Sequence, residues 1–348
     1  MKILMLSTDS TILEERSDSR ERMIWYGSAA EEMHIILPKA GKSQVQISKN
    51  VWVYSTNSRF KIFYPVDAYK IGKQIISNFQ IPNSLVTAQD PFLIGLVGYF
   101  LKLRFGLLLQ LQIHTDFLSP YFWKESLKNK ARVLLAKWLM EKADCVRVVS
   151  GRIKDSLVSS VRRQASGLKI SVLPVFVDIA KIRNQPVRTD LHKKYPDYDF
   201  IILMASRLTR EKNIGLAIEA ICDMLNSKSE FLNPKPLLLI VGSGPEEKNL
   251  KQKTKNCKLT TDVVFEPWTD DITSYYKTAD LFLLTSDYEG YGRTVVEAAA
   301  AGLPVIMTDV GISVGKATPV GDKKALVESL KEMISNPAGR KILVDKQS

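Results

Sequence analysis

Two carboxylates and two cations in the second half of this 348-residue chain have the types and spacing for work on a phosphate-bearing, hydroxyl-rich ligand. In SDYEGYGRTVVEAAAAGLPVIMTDVG, residues 286–311, Glu289 follows the apolar run ADLFLLTS on a loop holding Gly290 and Gly292. Glu297 comes eight positions later in RTVVEAAAAG, a helical pattern closed by Gly302 with Pro304 beyond. Eight residues of α-helix advance only about 80° from the starting face, so Glu297 can border the same ligand as the loop. A carboxylate among apolar neighbours needs a polar answer, which a sugar or ribose hydroxyl pair would supply and an internal salt bridge would supply equally. Earlier, FIILMAS runs into RLTREKN, where Arg207 and Lys212 precede the helical pattern NIGLAIEAICDML. Two cations beside a helix N-terminus suit a diphosphate, although a solvated basic turn has the same composition.

These residues need elements that hold them. Apolar runs at 2–7, 33–38, 83–88, 107–115, 145–150 and 170–178 alternate with helical segments, then begin afresh at 199–206, 236–242, 262–267, 280–286 and 303–309. That is βαβ repetition twice over, predicting α/β architecture with two doubly wound, Rossmann-like domains. The stretch RNQPVRTDLHKKYPDYD between them is polar and proline-containing, which places domains at 1–182 and 183–348. Ligands of such sheets sit beyond the carboxyl ends of strands, where Arg207, Lys212 and Glu289 fall. No G-x-G-x-x-G follows the first strand, which argues against a dinucleotide domain.

The net charge of +12 is concentrated. Residues 1–180 carry 25 Lys/Arg against 15 Asp/Glu, and residues 181–348 carry 24 against 22. Such a basic half fits nucleic acid, an anionic membrane or a phosphorylated substrate, and composition does not choose between them. Cys145, Cys222 and Cys257, with His34, His114 and His192, lack the spacing of a zinc site, and a reducing cytoplasm is expected. Lys102 and Arg104 divide the apolar stretch 91–113, so no membrane span is expected there. The one Asp-x-Asp, Asp197 to Asp199, precedes a strand, at the wrong end of a sheet for metal-assisted chemistry.

EGYGRTVVEAAAAGLPVI resembles the E-x7-E region of retaining family-4 glycosyltransferases of the GT-B fold, the glycosyl transferases of group 1. SRLTREKN, LLLIVGSGPEEKNL and YYKTADLFLLTSDYEGYG follow in that family's order, and QIHTDF, ADCVRVVS and ISVLPVFVD carry a weaker likeness in the first half. The resemblance implies two Rossmann-like domains facing across a cleft and a metal-independent enzyme without a cofactor. It implies a nucleotide-sugar donor, a glycan or lipid-linked acceptor, and no nucleic-acid partner. Arg207 and Lys212 would hold the diphosphate, Glu297 the ribose, and Glu289 the transferred sugar. Backbone groups of Gly290, Tyr291 and Gly292 would lie near the phosphates, and Trp268 in FEPWTDD would wall the base pocket. His114 would orient sugar or acceptor, with Asp116 on the acceptor side. The alternatives are a GT-B nucleotide-sugar epimerase and a catalytically idle membrane-associated subunit.

Departures from the family pattern carry expectations too. The glycine-rich loop after the first strand is missing. Only ISVGKAT separates TDVG from PVGD, and the sequence stops at KILVDKQS, where relatives continue into a crossover helix. Donor binding is expected to survive these changes and transfer to slow. Residues 121–143 predict one basic amphipathic helix, with Lys124, Lys128 and Arg132 beside a stripe of Leu127, Ala131, Leu134 and Trp138. Such a helix suits peripheral docking of a cytoplasmic chain on the inner face of the cytoplasmic membrane, and an ordinary core-packed helix with a solvated basic face has the same pattern.

Overall fold

The computed structural model describes residues 1–39, 41–78, 84–160, 168–226 and 234–347; Asn83, at the start of one expected strand, lies outside them. Two compact units result, Met1–Pro174 and Val175–Ser348. The first contains β1 (Lys2–Leu6), β2 (Glu32–Leu37), β3 (Gln44–Ser48), β4 (Val51–Ser55), β5 (Ser84–Ala88), β6 (Leu108–Ile113), β7 (Cys145–Val148) and β8 (Lys169–Val172). Their order is β3-β4-β2-β1-β5-β6-β7-β8, parallel except where β3 runs antiparallel to β4. Neither strand of that hairpin is in the sequence expectation, and in edge strand β3 QVQIS alternates polar with apolar residues. An edge strand needs no continuous apolar run.

The second unit contains β9 (Phe200–Ala205), β10 (Pro236–Val241), β11 (Val263–Glu266), β12 (Leu281–Leu284), β13 (Val305–Thr308) and β14 (Lys316–Thr318), ordered β11-β10-β9-β12-β13-β14. All six residues of β9 and of β10 are buried, because a parallel sheet is covered on both faces. Phe200, Ile202 and Met204 pack with helices Ile214–Asn226 and Lys323–Ser335. Ile201, Leu203 and Ala205 face the other way, toward helices Ile272–Thr278 and Arg293–Ala300. Each such side chain contributes roughly 1.5–3 kcal/mol.

Three stretches differ from their sequence reading. The connection ISVGKAT contains β14, paired parallel to β13 through Ile306↔Lys316. The polar stretch between units is packed rather than free: Leu191 is buried, Arg188 N donates to Ser274 Oγ, and Lys277 Nζ donates to the carbonyls of Arg183 and Gln185. One buried leucine in an otherwise polar segment leaves no periodicity to read, and the segment belongs to the compact unit Val175–Ser348. The expected single helix over 121–143 is two, Pro120–Glu125 and Leu127–Met140. Ser126 breaks it in an extended conformation, and its side chain caps Asn129 N. The last described residues form helix Pro337–Gln347, with Arg340 donating to the carbonyls of Met333 and Ile334.

Candidate functional site

The second sheet grows from β9 first toward β10 and β11, then on its other side toward β12 to β14. The switch point is therefore between β9 and β12, where successive connections diverge and leave a crevice beyond the strand ends. Loop 206–213 follows β9 there and loop 285–292 follows β12. They are tied by Asp287 N donating to Glu211 O, by Asn213 Nδ2 donating to Asp287 Oδ1, and by Thr285 Oγ1 donating to the carbonyls of Lys212 and Asn213. Asn213 is left-handed at φ 43°, a conformation that asparagine tolerates and that turns the chain into its helix.

Lys212 and Glu289 meet at this point. Nζ donates to Oε1 at 2.5 Å, with the side chains only 15% and 12% exposed. Ser286 Oγ donates to the same Oε1 at 2.8 Å. Both interactions converge on one carboxylate oxygen, so Oε2 keeps its capacity to accept from a hydroxyl, and two ammonium hydrogens of Lys212 are unspent. Arg207 is 77% exposed and reaches Glu211 at 3.6 Å. It is on the same loop but does not join the Lys212 pair.

Glu297 is held within its own unit. Arg293 Nε donates to Oε1 at 2.6 Å, and Tyr276 OH donates to Oε2 at 3.1 Å. Burial, with the Glu297 charge beside it, raises the Tyr276 phenol well above its ordinary pKa and keeps it a donor. The i, i+4 spacing of Arg293 and Glu297 is visible in the sequence; Tyr276 is not, because it comes from a different helix. Gly292, left-handed at φ 90°, begins helix Arg293–Ala300 without a side-chain cap, and Gly290 and Gly292 are both buried. Tyr291 O accepts from Ile312 N. Trp268 lies after β11, farther along the sheet, and is 51% exposed.

The remaining candidates belong to the first unit. His114 follows β6, and its Nε2 faces Gln112 Oε1 at 3.1 Å. The Gln112 amide is oriented by Nε2 donating to Thr87 Oγ1, whose hydroxyl in turn donates to Gln110 Oε1. This chain leaves Gln112 Oε1 as an acceptor and sets the proton of a neutral His114 on Nε2. The ring reaches solvent but is crowded by protein. Burial, then the guanidinium groups of Arg147 and Arg22, lower its pKa to about 4. We expect nitrogen chemical shifts of His114 to titrate with a midpoint near 4. Because the folded pKa lies below the unfolded value near 6.5, the associated stability is complete above that value and is lost as pH falls through 4. A midpoint near 6.5 overturns this assignment. Asp116 is pushed up by burial, against backbone hydrogen bonds and Arg152 that lower it.

Among the described residues no group of three His, Cys, Asp or Glu side chains is arranged to hold a metal ion, and no helix is long and apolar enough to cross a membrane.

Residues 187–346 match the family model described as Glycosyl transferases group 1. Among curated proteins, the chain is 25% identical over 244 residues to alpha-monoglucosyldiacylglycerol synthase of Streptococcus pneumoniae, covering 67% of this chain and 53% of that protein. It is 29% identical over 192 residues to the UDP-Gal:alpha-D-GlcNAc-diphosphoundecaprenol alpha-1,3-galactosyltransferase of Escherichia coli, covering 53% of this chain and 49% of that one. The chain thus spans about half the length of these relatives. Among solved structures, Anabaena HepE in complex with UDP-glucose superimposes over 100% of this chain and 93% of its own, with a TM-score of 0.75 at 19% identity. The fold is GT-B.

Proposed function

We propose that the chain, whose residues 187–346 match the model of the glycosyl transferases of group 1, transfers a sugar from a nucleotide-diphosphate donor to an acceptor hydroxyl. Anomeric configuration is retained, and the setting is cell-envelope glycan or glycolipid synthesis. The observation that carries this reading is the Lys212–Glu289 pair at the switch point, with one carboxylate oxygen and two ammonium hydrogens unspent. Lys212, with Arg207 reaching in from the same loop, holds the diphosphate, and Glu289 Oε2 accepts from a hydroxyl of the transferred sugar. Glu297, fixed by Arg293 and Tyr276, takes the ribose hydroxyls. The backbone of Gly290, Tyr291 and Gly292 lies by the phosphates, and Trp268 walls the base. On the first unit His114 orients sugar or acceptor as a neutral ring, and Asp116 belongs to the acceptor side.

In the reaction the bond between the anomeric carbon and the donor phosphate oxygen breaks. The acceptor oxygen bonds to that carbon on the face the phosphate leaves, and the acceptor proton passes to the departing phosphate. Negative charge grows on the diphosphate, so a fixed ammonium and helix N-terminal N–H groups stabilise the transition state more than the ground state. Relatives that use diacylglycerol or undecaprenol lipids, by their names, support a lipid-borne acceptor. Incubating the full chain with pooled nucleotide sugars and envelope lipid extract, followed by mass spectrometry, tests the reading. A glycosylated lipid or glycan is expected, and unchanged donor with every acceptor defeats it.

The first unit also has a surface suited to an anionic membrane. The stripe expected on the basic helix is exposed: Leu127 by 81%, Leu134 by 62% and Trp138 by 41%, whereas Val133, Ala136, Leu139 and Met140 on the other face are buried. Phe100 and Leu103 on helix Leu93–Phe105 are exposed as well, and Tyr99 stacks edge-on with Trp138 at 5.0 Å. Lys124, Lys128 and Lys137 are exposed beside the stripe, each worth about 1 kcal/mol at an anionic surface. Co-sedimentation with phosphatidylglycerol vesicles should exceed that with phosphatidylcholine at low salt and fall for Leu134→Glu. Equal sedimentation with both lipids rules the contact out.

A further inference from the structure

The carboxyl end of the first sheet holds two arginines that the donor chemistry does not use. Arg22 and Tyr26 lie one turn apart on helix Asp18–Ser28, and Arg147 in β7 reaches that helix, with NH2 3.4 Å from Tyr26 OH and its guanidinium over the Tyr26 ring at 5.6 Å. Arg147 NH1 is 3.5 Å from Gln112 Oε1, the same oxygen that faces His114 Nε2. Arg22 NH2 donates to Ser19 Oγ at 3.0 Å. The Nε atoms of Arg22 and Arg147 are buried without a hydrogen-bond partner, and neither guanidinium has a carboxylate at ion-pair distance among the described residues.

Asp9 is the acid beside Arg22. Its carboxylate is occupied by Thr11 N, Thr11 Oγ1 and Ser19 Oγ, and it touches Arg22 only through the Ser19 hydroxyl. Two cations against one closed carboxylate leave the cluster net positive. Buried, unpartnered N–H groups on like-charged side chains are costly, and an anion with several acceptor oxygens removes that cost. A carboxylate occupies one guanidinium fork; a phosphoryl group, with three outer oxygens, can engage two.

We propose that Arg22 and Arg147 form a subsite on the first unit for the phosphoryl group of a phosphorylated acceptor. The inference rests on the glycosyltransferase reading for the word acceptor, but the anion site stands on this unit alone. Binding there places the acceptor beside His114, so the pair selects phosphorylated over neutral acceptors. The phosphate is carried either by a free sugar phosphate or by a lipid.

Calorimetric titration of the full chain with glucose 6-phosphate, inorganic phosphate and glucose tests the site, with a panel of nucleoside diphosphates titrated in parallel. Glucose 6-phosphate and phosphate should bind and glucose should not. Arg147→Gln should weaken phosphate binding at least tenfold while nucleoside diphosphate affinity stays within twofold, and Arg147→Lys, which keeps the charge without the fork, should fall between. Melting curves for each variant separate misfolding from lost binding. Phosphate binding undiminished in folded Arg147→Gln, or equal binding of glucose, overturns the proposal. A chain that binds phosphate through Arg147 but no nucleoside diphosphate supports this site and defeats the donor reading instead. Phosphatidic acid vesicles supply the second arm: binding lost in Arg147→Gln assigns a lipid phosphate, and loss confined to glucose 6-phosphate assigns a free one.

Discussion

Glu289→Ala should reduce sugar transfer by on the order of 10² to 10³ while nucleoside diphosphate binding is retained or tightens. The two effects separate because Lys212 Nζ is tied to Glu289 Oε1 in the unliganded chain. Removing the carboxylate frees the ammonium for the diphosphate but deletes the acceptor for the sugar hydroxyl. Lys212→Ala should do the reverse at the binding step, weakening nucleoside diphosphate affinity about 10- to 100-fold, as expected for losing charge-assisted hydrogen bonds worth roughly 1.5–3 kcal/mol. Breaking a largely buried pair also lowers stability, so Glu289→Gln, which can keep an acceptor for Ser286, serves as the fold-preserving partner. Calorimetry for binding and product counting for turnover give the answer. If Glu289→Ala loses diphosphate affinity as Lys212→Ala does, the carboxylate is part of the diphosphate site and the division of roles is wrong.

Gly242→Ala should destabilise the second unit by about 3 kcal/mol or more and abolish nucleoside diphosphate binding with it. Gly242 follows β10 at φ 145°, and an added Cβ would sit 2.0 Å from the carbonyl oxygen of Ser206. That carbonyl belongs to the backbone of the loop carrying Arg207 and Lys212, so no side-chain rotation relieves the contact. The neighbouring bonds, Ser206 N to Val241 O and Leu208 N to Ser243 O, hold the two loops at that separation. For a unit of this size the expected fall in melting temperature is roughly 10 °C. A variant that melts within about 2 °C of the parent and still binds nucleoside diphosphate shows that the loop yields and that Lys212 does not depend on it.

The sequence by itself determined strands β9 to β13 of the second unit, though not β14, and the loops on which Arg207, Lys212 and Glu289 stand. FIILMA, PLLLIV and LFLL are apolar throughout because both faces of a parallel sheet are covered, a constraint that acts locally and leaves a local record. The spacing of Glu289 and Glu297 was equally readable. Tertiary structure alone decided which polar groups meet. Lys212 and Glu289 are 77 residues apart, and they pair because strand order sets β12 beside β9. Tyr276 answers Glu297 from another helix, and Arg147 reaches Tyr26 across 121 positions. The exposed stripe of Leu127, Leu134 and Trp138 was legible as a pattern, but its exposure was not. An amphipathic helix with apolar residues on two sides buries whichever side its neighbours cover, and here they cover Val133, Ala136 and Leu139. Periodicity records how much apolar surface a segment offers; only the packed sheet, with its order and crossings, decides what that surface and the charges between its loops confront.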